Sequence, residues 1–165
     1  MSNRHWDALL EQQALRCRPW EAEHVLAMAG IEQAIQPYPW SRKSYEDSFV
    51  QPSVSAWVCV DQRQDVQAYV LWQSLADACV ELLILGVSLP YQRRAVGSCL
   101  LQKLAHWAEQ ERQKTIFLEV AADNTAAICL YTKNNYKFIR ERKNYYRKGD
   151  KVSDAWVMSC SLPSY

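Results

Sequence analysis

Residues 81–98 have the sequence ELLILGVSLPYQRRAVGS, and the organisation of the chain can be worked out from this stretch. The apolar run at residues 82–87 has the length of a buried strand. It stops before Pro90, which cannot donate a hydrogen bond to a neighbouring strand. Two arginines and several small residues follow, and apolar side chains then recur at helical spacing through residues 100–108. The stretch therefore predicts a strand, a basic turn and the start of a helix.

The turn at residues 92–98 has the features of a phosphate-binding site. The first N–H groups of a helix have no acceptor within the helix, and the helix dipole places partial positive charge beside them. Small side chains allow a close approach of the backbone, and Arg93 and Arg94 add two cations. The turn lacks the Gly-Lys-Ser/Thr of a P-loop and the Gly-x-Gly-x-x-Gly of a dinucleotide site, which excludes both classes. An ordinary solvated helix start is the alternative.

A second strand and helix follow the first pair. The run TIFLEV at residues 115–120 predicts a strand, and Asp123 or Asn124 can cap a helix after it. Asn134 or Asn135 can end that helix in the left-handed conformation. Because a helical crossover separates this strand from the preceding one, we expect the two strands to be parallel.

The other elements surround this parallel pair. We expect an antiparallel meander of strands at residues 54–60, 66–73 and 79–87 and a closing hairpin of residues 138–146 and 155–161. A weak strand at residues 13–18 and helices at about residues 21–33 and 41–49 come first. The predicted fold class is α+β, with a mixed, mostly antiparallel sheet of about seven strands and about four helices, in a single domain of residues 1–165.

Composition narrows the function classes. The chain has 19 Lys and Arg residues against 18 Asp and Glu residues, so nothing attracts it in general to nucleic acid or to an anionic membrane. It has no apolar run of signal-peptide or membrane-spanning type, so a cytoplasmic location is expected. The six cysteines form no Cys-x-x-Cys pair and are expected to be reduced core residues. No metal site is expected.

The turn resembles the acetyl-CoA-binding motif of the GCN5-related N-acetyltransferases (GNAT), Gln/Arg-x-x-Gly-x-Gly/Ala, which runs here from Gln92 to Gly97. Ala95 stands where this family has its first glycine. Residues 118–138 contain LEV, NTAAI, LY and NYKF, and these motifs resemble one branch, the bacterial ribosomal-protein N-terminal-alanine acetyltransferases. IEQ, PWS and NYY, which begin at residues 31, 39 and 144, match the same branch.

The resemblance implies the GNAT fold, whose two parallel strands splay apart, and acetyl-CoA as co-substrate. The pantetheine would lie between the splayed strands and the pyrophosphate on the turn. The residues implied in binding acetyl-CoA or CoA are Leu85, Val87, Gln92, Arg93, Arg94, Ala95, Val96, Gly97, Ser98, Asn124 and Tyr131. Gly86 would permit a close approach of the cofactor or mark a strand bulge.

The resemblance also implies direct transfer of acetyl to an amine, with Glu119 as general base through a water molecule and Tyr131 as general acid. Leu118 and Val120 point toward a predicted core, so Glu119 points to the opposite side of its strand. A solvent-exposed glutamate and a tyrosine that merely packs on the sheet are the alternatives.

The acceptor implied by the resemblance is the N-terminus of a protein, specifically a small-subunit ribosomal protein. Trp40, Tyr145 and Tyr146 would bind it, although all three could simply pack. An α-amine has a pKa of about 7.7–8.0 and lysine one of about 10.4, so a single carboxylate base suits an N-terminal amine better. A small-molecule or lysine N-acetyltransferase and a non-catalytic acyl-CoA-binding module remain alternatives.

Overall fold

The computed structural model describes residues 5–163, which form one seven-stranded sheet with helices on both faces. The five α-helices are α1 (His5–Gln12), α2 (Val25–Ile35), α3 (Arg42–Phe49), α4 (Val96–Gln110) and α5 (Thr125–Lys133). The strands are β1 (Arg16–Pro19), β2 (Val54–Val60), β3 (Val66–Leu75), β4 (Cys79–Val87), β5 (Thr115–Ala121), β6 (Lys137–Lys148) and β7 (Lys151–Ser161). The predicted α+β class with a mixed sheet is confirmed.

The strands are ordered β1-β2-β3-β4-β5-β7-β6 in the sheet. β4 and β5 pair in parallel, and the other neighbouring strands pair antiparallel. The ladder between β4 and β5 ends where Leu82 lies opposite Leu118, although β4 continues to Val87 and β5 to Ala121. The parallel pair is therefore splayed, and its open end lies at the C-terminal ends of both strands.

The two faces of the sheet belong to two hydrophobic cores, as the alternation of side chains along a strand requires. On β3, Val70 lies in the core that also contains residues of α1, α4 and α5. Its neighbours Tyr69 and Leu71 lie in the core that contains residues of α2 and α3. The sheet thus separates two helical layers, and the splayed pair opens between them.

Helix α1 differs from the prediction, which placed no helix before residue 13. An isolated helix of eight residues is not stable in water, so α1 depends on packing. Leu10 is buried in the core shared with α4, and the Asp7 carboxylate lies 3.5 Å from Lys103 Nζ of α4. Ala14, with φ 57°, then turns the chain, so the first strand begins at Arg16 and not at residue 13.

The other boundaries agree more closely with the prediction. β2 and β4 have the expected bounds, and Ser41 caps α3 by accepting a hydrogen bond from the Ser44 N–H at 3.1 Å. The hairpin strands are longer than predicted because pairing continues to Lys148 opposite Lys151. Gly149, with φ 58°, supplies the left-handed residue of the tight turn between them.

The cysteines only partly match the prediction. All six are free thiols, and Cys59 and Cys99 are buried. Cys129 is exposed on α5, so the expectation of a core position is wrong for this residue. Within residues 5–163, every helix is too short or too polar to cross a membrane.

Candidate active site

The open end of the splayed pair contains a cavity of about 80 Å³. Residues 83–85 of β4 and residues 119–121 of β5 form two of its walls. Side chains of helices, loops and β6 complete the lining, among them Glu32, Gln36, Tyr38, Trp40, Asn124, Tyr131 and Tyr146. The cavity is thus bounded by elements from both helical layers.

A bulge in β4 begins the divergence of the two strands. Leu71 of β3 lies opposite Ile84 and Trp72 lies opposite Leu82, so Leu83 is the extra residue. A bulge bends its strand and increases the local twist. The bulge stands immediately after the last parallel pair, where β4 must turn away from β5.

Gly86 is not the bulge, because it pairs in register with Tyr69. A Cβ atom added at Gly86 would overlap the ring of Tyr69 and stand 2.6 Å from its Cε1 atom. The interpretation of Gly86 as a bulge is therefore wrong. The glycine is required because the Tyr69 ring lies directly on the β4 backbone.

The turn after β4 presents the start of α4. Gln92 Nε2 donates a hydrogen bond of 3.0 Å to the Val87 carbonyl oxygen, which ties the turn to the end of β4. The first hydrogen bond of the helix runs from Cys99 N to Ala95 O at 2.9 Å. The three N–H groups of residues 96–98 precede that bond and lie at the positive end of the helix dipole.

Ala95 stands at the N-cap of α4 in the left-handed conformation, with φ 62° and ψ 3°. This conformation costs an L-residue roughly 1–2 kcal/mol. Gly97 follows without such strain, but a Cβ atom there would stand 3.1 Å from Leu130 of α5 and 3.7 Å from Leu85. Ala95 therefore has the left-handed conformation that glycine usually adopts. The missing side chain of Gly97 allows α4 to pack closely against α5 and β4.

The turn fits an anionic phosphate group. Its exposed arginines, Arg93 and Arg94, flank the helix start, and Arg94 lies 5.6 Å from the centroid of the Tyr91 ring. Cations, small residues and a helix N-terminus coincide at this point. The Ser98 hydroxyl accepts a hydrogen bond of 3.0 Å from Asn134 Nδ2, so its own O–H and the backbone N–H of Ser98 both remain able to donate to an anion.

Asn124 links α5 to the opposite wall of the cavity. Its Oδ1 accepts a hydrogen bond of 3.1 Å from the Ala127 N–H and caps the helix. Its Nδ2 lies 3.4 Å from Oε1 of Gln36, which follows α2. Tyr131 lies two turns further along α5. Burial and the nearby charge of Glu32 raise its pKa, so its hydroxyl keeps its proton at neutral pH.

Glu119 is the centre of a polar cluster at the cavity. Leu118 and Val120 are buried on the other face of β5, as predicted, and Glu119 carries an ion pair with Arg142 of β6. Burial and the like charge of Glu119 raise the pKa of Glu81. The Tyr145 hydroxyl interacts with the Glu119 carboxylate, which raises the pKa of Tyr145.

A second bulge, in β6, lies beside Tyr145 and Tyr146, whose rings meet edge to face with 5.0 Å between centroids. Arg142 lies opposite Ala155 and Tyr146 opposite Ser153, so β6 has extra residues in this interval. Asn144 has φ 53°, a conformation that asparagine adopts more readily than most residues. Tyr146 lines the cavity and stacks on Tyr38, with 5.3 Å between ring centroids.

Comparison with known proteins agrees with this geometry. The model of the acetyltransferase (GNAT) family matches residues 25–136. The chain belongs to this family. It is 31% identical over 132 residues to the ribosomal protein bS18-alanine N-acetyltransferase of Escherichia coli (strain K12), covering 80% of this chain and 87% of that protein. Both the resemblance to the family and the status of the protein as an N-acetyltransferase are thereby confirmed.

Two solved structures have the same fold. The crystal structure of the ribosomal-protein-S18-alanine N-acetyltransferase from Escherichia coli has a TM-score of 0.81 and 27% identity, with coverage of 92% of this chain and 96% of that chain. Arabidopsis thaliana NAA60 in complex with acetyl-CoA has a TM-score of 0.79 and 16% identity, with coverage of 90% and 98%. At that identity, the second comparison concerns the GNAT fold alone.

The GNAT fold brings together only some of the residues singled out in the sequence. The cavity lining includes Trp40, Leu85, Glu119, Asn124, Tyr131 and Tyr146. Val87 and residues 92–98 form a separate group at the start of α4, and Tyr145 lies outside the cavity lining, against Arg142. Trp40 has the features expected of both a substrate-binding and a packing residue. It lines the cavity, and its ring packs against that of Tyr45 with 5.5 Å between centroids.

Neither Glu32 nor Arg142 has a role predicted from the sequence. Glu32 did carry a local signal, since it continues the buried stripe of Val25, Met28 and Ala29 on α2, where an apolar residue is expected. Arg142 carried no such signal, because it lies in a strand rich in charged residues.

Proposed function

We propose that the protein transfers the acetyl group of acetyl-CoA to the α-amine of a protein N-terminus. The observation that carries this proposal is the joint position of Glu119 and Tyr131, a carboxylate and a phenol in the lining of one small cavity at the open end of the splayed strands. Such a pair can take a proton from an amine and give a proton to a leaving group.

The residues around α4 fit the co-substrate. The N–H groups of residues 96–98 and the guanidinium groups of Arg93 and Arg94 would hold the pyrophosphate. Beyond Leu82, the β5-facing edge of β4 has no parallel ladder, so its backbone groups can pair with the pantetheine amides. Leu85 and Val87 lie on this segment, and Asn124 lies across the gap. Acetyl-CoA, when bound, supplies the activated thioester.

Glu119 and Tyr131 would divide the proton transfers. Glu119 accepts the proton that the amine loses, through one water molecule, and Arg142 keeps its carboxylate oriented. Tyr131, whose raised pKa keeps it protonated, donates its hydroxyl proton to the departing sulfur. The aromatic rings of Trp40 and Tyr146 would enclose the first residue of the acceptor, with Tyr145 behind them at Arg142.

The form of the cavity supports a chain end as acceptor. Tyr38 and Tyr146 stack across it and join the segment after α2 to β6, which leaves little room for a chain that continues in both directions. Deprotonating an α-amine near pH 7 costs roughly 3 kcal/mol less than deprotonating lysine. The Escherichia coli relative is a ribosomal protein bS18-alanine N-acetyltransferase, which supports a ribosomal protein N-terminus as the natural acceptor.

Two peptides test the proposal. One begins with Ala and contains an internal lysine, and the other is the same peptide with its N-terminus blocked. With radiolabelled acetyl-CoA, we expect label on the first peptide only, and the Tyr131→Phe variant serves as the background control. Label on the lysine of the blocked peptide, or on a small polyamine in preference to either peptide, would replace the proposal with lysine or small-molecule acetylation.

A further inference from the structure

Glu32 is a buried carboxylate that the proposed mechanism does not use. The residue is 2% exposed and belongs to the otherwise apolar stripe of α2. Its Oε2 accepts hydrogen bonds from the hydroxyl of Tyr45 at 2.9 Å and from that of Tyr69 at 2.6 Å. The backbone N–H of Trp40 also interacts with this carboxylate and favours its charged form. Three donors from α3, β3 and the segment after α2 therefore surround Glu32.

These donors make an ionised Glu32 tolerable in the core. A buried carboxylate without partners costs several kcal/mol, and hydrogen bonds to the charged form offset that cost. Burial raises the pKa of Glu32, whereas the two hydroxyls and the Trp40 N–H act in the opposite direction. An ionised carboxylate has about four acceptor positions, so three donors leave one of them unused.

The Glu32 carboxylate, with its unused acceptor position, lines the cavity. Glu32 and Glu119 both line it, and among the residues described there the lining contains two carboxylates and no Lys, Arg or His. The groups that face Glu32 are Tyr45 from α3, Tyr69 from β3 and Tyr131 from α5. All three are neutral phenols, so nothing among the described groups facing Glu32 cancels its negative charge.

We propose that Glu32 is the ammonium-binding group of the acceptor site. This inference rests on the proposed function and concerns the same cavity. An α-amine has a pKa of about 7.7–8.0, so most acceptor molecules arrive as ammonium ions at neutral pH. A carboxylate in a site with little water attracts a cation more strongly than one in bulk solvent. Glu32 binds the charged amine in the wall of the cavity, from which the amine passes its proton to Glu119.

Glu32→Gln tests the proposal because it removes the charge and keeps the volume. The probes are an Ala-initiated peptide and its des-amino analogue, in which hydrogen replaces the α-amine. Binding of each peptide to the CoA complex is measured by calorimetry. In the wild-type protein we expect the amino peptide to bind at least tenfold more tightly than the des-amino analogue at pH 7. This ratio corresponds to the free energy of one hydrogen bond to a charged group. In Glu32→Gln we expect this ratio to fall to a few-fold.

The pH dependence separates binding of charge from a structural role. We expect Glu32→Gln to raise the KM of the peptide most near pH 7. The ratio of the peptide KM of Glu32→Gln to that of the wild-type protein should approach one near pH 9, where the amine is neutral. The KM of acetyl-CoA should not change. A ratio that is constant across this pH range would overturn the proposal, since a displaced wall weakens binding of the charged and neutral amine alike.

Two further variants keep the result interpretable. Tyr45→Phe removes one donor but leaves the charge, so the preference for the amino peptide should persist. If Glu32→Gln does not fold, Glu119→Gln leaves Glu32 as the remaining carboxylate of the described lining, and the preference should again persist. Equal binding of the two peptides in Glu119→Gln would overturn the role of Glu32. N-terminal acetylation by the wild-type protein would still stand in that case, so the two proposals fail separately.

Discussion

The carboxylate of Glu119 and the guanidinium of Arg142 form an ion pair that reaches across a strand. Glu119 belongs to β5 and Arg142 to β6, and β7 lies between these strands. The side chains are 17% and 41% exposed, and the guanidinium also lies 4.2 Å from the centroid of the Tyr145 ring. The pair connects the β6–β7 hairpin with the cavity and holds the carboxylate in one orientation.

Removal of Arg142 should affect catalysis more than stability. We expect Arg142→Met to lower kcat/KM for the peptide by about tenfold, because an unheld carboxylate spends less time in the productive position. The free energy of unfolding should change by less than about 1 kcal/mol, as for other partly exposed ion pairs. Arg140→Met, an exposed position on the same strand, is the control. Equal effects of the two changes on kcat/KM would contradict this role.

Glu119→Gln should lose activity in a pH-dependent way. Below the amine pKa of about 7.7–8.0, the acceptor nitrogen carries a proton that must be removed, so the loss should be greatest near pH 6.5. Above about pH 8 the amine is increasingly neutral, and part of the activity should return. The measurement is kcat/KM between pH 6 and 9 in both proteins. A loss of the same size at every pH would indicate that Glu119 positions the amine and does not act as its base.

Tyr131→Phe should reduce kcat by roughly 10²- to 10⁴-fold, because the change keeps the ring and removes the hydroxyl group that donates the proton. Affinity for CoA, measured by calorimetry, should stay nearly constant. Tyr136 is a matched control, since its ring lies 5.7 Å from that of Tyr131 and its buried hydroxyl has no hydrogen-bond partner among residues 5–163. Tyr136→Phe should therefore leave kcat unchanged. Full activity of Tyr131→Phe would exclude it as the acid.

Ala95→Gly should stabilise the protein. The left-handed conformation of Ala95 costs roughly 1–2 kcal/mol, and the greater freedom of glycine in the unfolded chain offsets part of the gain, so we expect a net increase of about 0.5–1 kcal/mol. Ala105→Gly, inside α4, should instead destabilise by about 1 kcal/mol. Urea unfolding measures both. In calorimetry, tighter CoA binding by Ala95→Gly would show that the methyl group also obstructs the phosphate.

Gly86→Ala should destabilise the protein by about 1–3 kcal/mol, because the new methyl group overlaps the ring of Tyr69. Gly30→Ala is the control: it lies in α2, and apart from the backbone of its own helix no atom lies within 4 Å of the added Cβ, so it should stabilise by about 0.5–1 kcal/mol. Combining Gly86→Ala with Tyr69→Ala should cost less than the sum of the single changes, since the overlap is then removed. Additive costs would rule out the overlap as the cause.

Short-range patterns in the chain were sufficient for most of the fold. The apolar runs predicted β2 and β4 with their observed bounds, and cap residues such as Ser41 and Asn124 marked the starts of α3 and α5. The turn before α4 was also recognisable, because its small residues and cations stand next to one another. Strand periodicity, helix capping and turn chemistry all act within a few residues, so a single sequence carries them.

Contacts between distant segments depended on the tertiary structure. Glu32 meets Tyr69 over 37 positions of the chain, and Arg142 meets Glu119 over 23. Neither pairing can be read from local periodicity. The first depends on how α2 packs on β3, and the second depends on the register of β5, β7 and β6. Irregularities in β6 between Phe138 and Arg140 and between Arg142 and Tyr146 change the register of this strand on β7, and a shift of one residue moves a side chain to the other face of the sheet. Helix α1 also depends on a contact between distant segments. Its eight residues are too few to form a stable helix alone, and packing against α4 stabilises it.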